Sequence, residues 1–485
     1  MKRKIFPNDF VPYYPIGIQP CTMYVDVANR IYERIKDMDI ALPYADELKK
    51  EIAVNVAIYY EDKMSGSGLW NAFVSRHKIA YLRPLPFFDD YDDLADDDVN
   101  AQDVELLVWL VISRNFYDQF LNPLTMGTNA ANLIMQVLTE DEEVEVNDGL
   151  YDFIYGADKA NDYFKLKHVL IWLRRSYLLY SPLSDEKFEY LRDEYSDLCN
   201  KSESTYFAET ELSMTTEIGP MALPPHLWLS EMYKNNGMAE EADRLKNLKY
   251  CYQDAFEVVK TDANFTILKD TKGEEYKLKN QHPDIFCASQ YVATALVKYG
   301  DNDWEMNGEM FETRKKNYDT RCERNLELKI SYEHTYPMYM ERTNGKRLFF
   351  FENSNQFEEW LKTVSPEIDT EQIVNQLPSG SFVAFISKKA GIIFAPNITH
   401  AIKCKDNPFY RKCNANTMQT ETMNAVLNMD MVHPELLHYL LDNKMLQDGN
   451  ISSMAPNEAG NKIFTLNIDF IARNHRRHHY HDHDF

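Results

Sequence analysis

Five of the thirteen histidines, His475, His478, His479, His481 and His483, crowd into the last eleven residues, interleaved with Asp482 and Asp484. Neutral imidazole offers a ring-nitrogen lone pair and a carboxylate can complete the shell, so the tract is a candidate metal site. If 473–485 were helical, His475, His479 and His483 would fall at i, i+4 and i+8 on one face. Two imidazoles would then reach one ion, with Asp482 as third ligand, and zinc or nickel would suit that donor set best. The plainer reading is a solvated end whose histidines merely titrate near neutrality.

Other clusters carry less. Seven aspartates among the ten residues 89–98 offer oxygens to a hard cation, but no glycine turn or ligand spacing accompanies them, which suits a solvated acidic loop. Asp301, Asp303, Glu305, Asn307 and Glu312 match positions one, three, five, seven and twelve of a calcium loop. Position six, where the sharp turn needs glycine, is Met306, so the match reads as coincidence. His433, Glu435 and His438 lack the H-E-x-x-H spacing, and His282 with Asp284 and Cys287 is a cysteine–histidine pair with nothing to activate it. No G-x-x-x-x-G-K-[ST], G-x-G-x-x-G or G-x-S-x-G occurs, and 16 glycines leave little for phosphate-cradling loops.

The charge narrows the partners. Of the net charge of -24, residues 1–245 hold 23 Lys+Arg against 43 Asp+Glu (-20), and residues 246–485 hold 29 against 33 (-4). The front half repels phosphate backbones, which argues against nucleic acid as a partner. Basic clusters at 314–316, 403–412 and 473–477 read as solvated charge. The seven scattered cysteines, without C-x-x-C, fit reduced thiols and a cytoplasmic setting. Prolines at 7, 12 and 15 and Asp9 interrupt any signal-type apolar run. The longest apolar stretch, 106–112, is far short of the ~20 residues a spanning helix needs. The expectation is a soluble protein with no membrane association.

These residues must be positioned by more than one unit, given the length. Apolar residues at helical spacing predict helices over 23–40, 44–64, 69–79, 101–120 (capped by Asn100, with Asp103 at the capping-box position), 160–180, 185–201, 227–236 and 238–249. The Ser/Thr/Glu-rich stretch 201–225, ending in Pro220, Pro224 and Pro225, reads as a loop. Short β-prone runs at 255–260, 265–269, 275–279 and 291–299, separated by turn residues, predict a small twisted sheet or barrel. A charged connector is expected over 312–329. Beyond it come a strand at 347–352, a helix capped by Ser354, a hairpin of 381–386 with 391–395, helices at 421–429 and 435–445, and a run at 463–471 that favours a strand. The fold class is α+β. A helical domain (1–249) precedes a small β unit (250–312), an α+β unit with C-terminal helices (330–473) and the His-rich tail (474–485).

Four stretches carry a family resemblance: the 15–32 region ending Ala28-Asn29-Arg30-Ile31-Tyr32, Gly68-Leu69-Trp70-Asn71-Ala72-Phe73, 297–308 ending Trp304-Glu305-Met306-Asn307-Gly308, and Asn407-Pro408-Phe409-Tyr410. In these the chain resembles an uncharacterised family of bacterial proteins, best known from gut anaerobes, that carries only a domain-of-unknown-function label. The resemblance implies no activity and transfers no catalytic residue.

The reading that follows is a non-enzymatic intracellular protein-binding or scaffold protein, whose acidic helical front meets a protein partner. No cofactor is expected beyond a divalent metal at the tail. The alternative is a metal-dependent hydrolase using His475, His479, His483 and Asp482. Oligomeric state is not legible.

Overall fold

In a computed structural model of the chain, the structure describes residues 4–38, 45–88, 99–116, 128–140, 145–156, 163–182, 184–279, 286–287, 290–300, 303–366, 377, 379–388, 390–396, 398–410, 432–443, 445, 467, 470–471 and 473–474. The fold is α+β, as the periodicity predicts. The chain divides into two units, 1–115 with 123–325, and 116–122 with 326–485.

In the first unit a short turn of helix, α1 (Pro7–Phe10), leads to α2 (Thr22–Ile35), whose Val25, Ala28, Ile31 and Ile35 are buried at helical spacing. The centre of this unit is α3 (Ala45–Ser65) with α5 (Ala101–Asn115); each is buried on almost every side, so these helices carry little amphipathic signal. Between them runs α4 (Leu69–Tyr81). Asn100 caps α5 by accepting the Gln102 amide at 2.7 Å, as expected. Asp103 turns inward and accepts the Tyr59 hydroxyl of α3 at 2.8 Å.

Helices α6 (Thr128–Leu138) and α7 (Asp148–Tyr155) escaped the periodicity analysis. Both are only two to three turns long, and Asn147, the cap of α7, is its clearest start signal: its Oδ1 accepts the Leu150 amide at 3.1 Å. Then follow α8 (Tyr163–Leu173) and α9 (Ser184–Glu194).

The expected loop at 201–225 is a helix over its first part, α10 (Lys201–Thr215). Asn200 and Glu203 form a reciprocal capping box, with Asn200 Oδ1 accepting the Glu203 amide at 3.2 Å and Glu203 accepting the Asn200 amide at 2.9 Å. Hydroxyls that would favour a loop bond backward along the helix instead: Ser204 and Thr205 to the Lys201 carbonyl, Ser213 to Glu209 and Thr215 to Glu211. Phe207, Ala208, Leu212 and Met214 supply the buried stripe. Helices α11 (Pro225–Asn235) and α12 (Ala239–Lys246) complete the set.

The six strands β1 (Lys249–Thr261), β2 (Phe265–Lys269), β3 (Glu275–Lys279), β4 (Tyr291–Lys298), β5 (Glu305–Met306) and β6 (Phe311–Glu312) form an antiparallel sheet of order β3-β2-β1-β4-β5, with β6 also on β4. Asp262 accepts the Asn264 and Phe265 amides in the first hairpin turn, and Asp270 the Lys272 and Glu274 amides in the second. A parallel bridge between Leu278 and Trp304 curls the sheet toward a barrel. Its inner face packs Phe256, Val258, Leu268, Leu278, Val292 and Leu296 together. Ala255 and Ala293, on the opposite face, pack against Tyr195, Phe207 and Leu212.

The expected connector at 312–329 is the start of a 28-residue helix, α13 (Lys315–Arg342), which begins in the first unit. Its charges are real, but Tyr318 and Arg321 face inward: the Tyr318 hydroxyl donates to the Asp270 carbonyl at 3.1 Å and Arg321 pairs with Asp254 at 3.4 Å.

In the second unit β7 (Leu348–Phe351), β8 (Phe382–Ser387) and β9 (Gly391–Pro396) form an antiparallel sheet of order β7-β8-β9, including the expected hairpin. Helix α14 (Ser354–Val364) lays Phe357 and Leu361 on Phe351 and Phe382. Its cap is Asn353, which accepts the Gln356 amide at 3.1 Å; Ser354 is the first helical residue, one position later than its expected role. Helix α15 (Pro434–Asp442) matches most of the expected 435–445 helix. Phe470 and Ile471 are helical rather than extended, with the Ile471 amide donating to the Asn467 carbonyl at 2.9 Å. The expected helix at 421–429 lies outside the described residues. Among the described residues no helix is long and apolar enough to cross a membrane.

Candidate functional site

The proposed metal ligands His475, His479, His483 and Asp482 lie outside the described residues, as do the acidic run 89–98 and His282. Among the described residues no group of three or more His, Cys, Asp or Glu is arranged to hold a metal. Of the calcium-loop match, Glu305 lies in β5, Glu312 in β6, and Asn307 is buried in the turn between them. Chemistry-bearing groups gather elsewhere, in places where a charged residue interrupts an apolar helix face.

The first such place is Glu61-Asp62, at the end of the apolar stretch of α3; both are buried. Asp62 is saturated with donors. Its Oδ1 accepts the Ser67 hydroxyl (2.6 Å) and Leu69 amide (3.0 Å), and its Oδ2 the Trp70 amide (2.8 Å) and Tyr177 hydroxyl (2.8 Å). It thereby satisfies the amides that open α4, replacing a local cap, while Gly66 and Gly68 take the left-handed backbone the turn requires. Glu61 is the opposite case. Its Oε1 accepts the Asn147 side-chain amide at 2.8 Å, and its Oε2 has no hydrogen-bond partner. Burial pushes its carboxyl up to about 7. Asn147 and the Cys21 backbone amide pull it back in part, and the nearby Asp62 and Glu145 carboxylates raise it further. Asn147 also donates its own amide to Ser65 Oγ at 2.9 Å, so Glu61 holds the start of α7 against α3.

The second place joins α8, α10 and the β5–β6 turn. Lys167, a lone charge among Leu166, Val169 and Leu170, is buried. Its Nζ donates to the Asn307 carbonyl and lies 3.4 Å from the Tyr206 hydroxyl and 5.3 Å from that ring's centroid. Burial lowers its amine to about 8, against the partial opposition of Glu209 and Glu309. The Tyr163 hydroxyl donates to Asn307 Oδ1, while Asn307 Nδ2 is buried without a partner. Gly308 has φ +133°, and a Cβ there would sit 1.9 Å from the Tyr206 hydroxyl. Tyr206 accepts the Glu309 amide at 3.0 Å. On the same helix as Tyr206, Glu211 serves a bulge in β1: its Oε2 accepts the Tyr250 hydroxyl (2.7 Å) and the Gln253 amide (3.2 Å). Its Oε1 and Gln253 Nε2 are both buried without partners, and burial raises its carboxyl.

In the second unit Glu435 accepts from Arg347, the Ser387 hydroxyl and the Lys388 amide (2.9 Å), clamping the β8–β9 turn, and these partners hold its carboxyl below the usual range despite burial. His433, flagged by the sequence, accepts the Glu435 amide at 3.1 Å and belongs to this clamp. Burial raises the thiol of Cys21 to about 11 and that of Cys199 to about 12, which makes these two poor nucleophiles.

A family model described as a protein of unknown function, DUF3843, matches residues 4–286 and 298–477. No curated protein and no solved structure matches the chain.

Proposed function

The chain belongs to the DUF3843 family, which brings no assigned activity with it, and we propose that it is a non-enzymatic scaffold that binds a basic protein partner through its acidic front. The observation that supports this is the division of labour among its carboxylates. Asp62, Asp254, Asp270 and Glu435 are spent on their own chain's turns. Among the described residues of 1–245, part of the acidic charge is exposed. Glu140, Glu145, Asp148 and Asp152 are all exposed, with the exposed apolar Val146 and Tyr151 among them. Acidic rims around apolar contacts suit a basic, amphipathic surface.

The test is isolation of the untagged protein from its own host at low and high salt, followed by native mass spectrometry. A stoichiometric protein partner should be retained at low salt, released as salt rises, and lost from a Glu145→Lys/Asp152→Lys variant. Specific substrate turnover by the isolated chain would overturn the proposal. The same spectrum tests the alternative, a metal-dependent hydrolase at His475, His479, His483 and Asp482. That reading requires a stoichiometric metal mass that disappears when 474–485 are deleted.

A further inference from the structure

We infer that Lys167 is a carbonyl-reactive amine: buried beneath the Asn307–Glu309 turn and, among the described residues, hydrogen-bonded only to neutral groups, its Nζ forms a reversible imine with a small uncharged aldehyde or ketone. This inference is independent of the protein-binding reading.

Three observations carry it. The first is the company Nζ keeps. It donates to a backbone carbonyl and lies beside a phenol, and among the described residues it forms no ion pair. A lysine used for charge alone is normally buried against a carboxylate, whereas a buried one hydrogen-bonded to neutral groups gives up its proton more readily. Burial accordingly lowers this amine to about 8, leaving a substantial neutral, nucleophilic fraction near pH 7.5.

The second is the roof. The residue over the amine is Gly308, only partly buried, whose missing Cβ would lie 2.9 Å from Nζ. The next residue, Glu309, is exposed. Reaching the amine requires a displacement of this turn, which breaks the hydrogen bonds of Tyr163 to Asn307 and of Glu309 to Tyr206.

The third is an unused donor. Asn307 is 2% exposed and its Nδ2 has no partner, although its Oδ1 is fixed by Tyr163. Nδ2 is thus a buried donor, already stripped of water, on the same residue whose carbonyl holds Nζ. The charged neighbours are Glu209 and Glu309, both acidic, which disfavour anionic oxo acids and select uncharged carbonyl compounds.

The chemistry balances without a co-reactant. The Nζ lone pair attacks the carbonyl carbon, and the π pair moves to oxygen. One proton passes from nitrogen to oxygen, with the Tyr206 hydroxyl placed to relay it, giving a carbinolamine. Water then leaves and the C=N bond forms; nothing is oxidised or reduced.

The test is reductive trapping on the full-length protein. Native protein is incubated with butanal and cyanoborohydride from pH 6.5 to 9 and mapped by peptide mass spectrometry. The expected result is a butyl adduct at Lys167, rising through pH about 8 and enriched over the exposed lysines at pH 7.5, where its neutral fraction is roughly 200 times theirs. Tyr206→Phe should reduce it several-fold, and Lys167→Arg should abolish it. A Lys167 that stays unlabelled while exposed lysines react, or that labels only in urea, would overturn the inference and leave the amine as a clamp on its turn. The wild-type peptide map decides alone, so a variant that fails to fold does not blunt the test.

Discussion

Replacing Glu61 by glutamine should stabilise the first unit above neutral pH and cost it roughly 1 kcal/mol in mild acid. Glu61 is buried with one oxygen unpartnered, and its carboxyl is raised from 4.5 to about 7. Between those values the unfolded chain has released the proton that the folded chain retains. The unfolded state binds fewer protons there, so stability falls as pH rises through this window. The penalty is absent below about 4.5 and complete above about 7. At 1.36 kcal/mol per unit the full loss is on the order of 3 kcal/mol. Glutamine does not titrate and keeps an acceptor for Asn147, but it places an amide where Oε2 stood, which returns roughly 1 kcal/mol for an unmet donor. The net gain at pH 8 is therefore about 2 kcal/mol. Urea denaturation of both proteins at pH 5, 6, 7 and 8, followed by hydrogen exchange of the α7 amides, reads it as a difference that grows with pH. Carboxylates that titrate alike in both proteins cancel. A difference that stays flat from pH 5 to 8, or a variant less stable at pH 8, would mean that donors hold the carboxylate ionised inside the fold.

Asp62→Ala removes the acceptor of two amides and two hydroxyls at once, and should cost about 3 kcal/mol or more, seen as a large drop in thermal midpoint. Gly308→Ala should destabilise strongly because of its φ and the 1.9 Å approach to the Tyr206 hydroxyl; adding Tyr206→Phe should recover part of the loss in urea titrations. Glu435 is depressed in the folded state, so its contribution is present above its unfolded value and disappears as pH falls through the folded one. Glu435→Gln should flatten the acid limb of second-unit stability followed by tryptophan fluorescence at Trp360. Asn200→Ala should cost about 1 kcal/mol in urea titrations by opening the capping box of α10.

Elements that advertise themselves through apolar spacing were legible. The ranges of β2 and β3 match the expected runs residue for residue, and α2, α3 and α4 begin within a residue of expectation. The departures share one physical origin: side-chain composition does not show the partner that each side chain finds in the fold. The hydroxyls of α10 look like loop material until they bond to their own helix, and the charges of α13 look like a connector until Arg321 meets Asp254. The candidate site was less legible still. Glu61, Lys167 and Glu211 each appear as one charge on an apolar stripe, a signal open to inspection, but their partners are remote. Asn307 is 140 residues from Lys167, and Asn147 is 86 from Glu61. The histidine tract, the most conspicuous chemistry in the sequence, lies outside the described residues.

The bridge between Leu278 and Trp304 has a consequence for the chain as it is made. Until residue 304 has been synthesised, β3 is an open edge able to template pairing with a neighbouring nascent chain. At 5–20 residues per second the interval is on the order of a few seconds, ample for association on a crowded polysome. The strand carries its own guard for that interval: Glu275, Lys277 and Lys279 are exposed along it, and Lys277 shelters the ring of Phe265 at 4.8 Å. Neutralising the two lysines would leave the Leu278–Trp304 bridge of the finished fold in place while exposing its synthesis to aggregation.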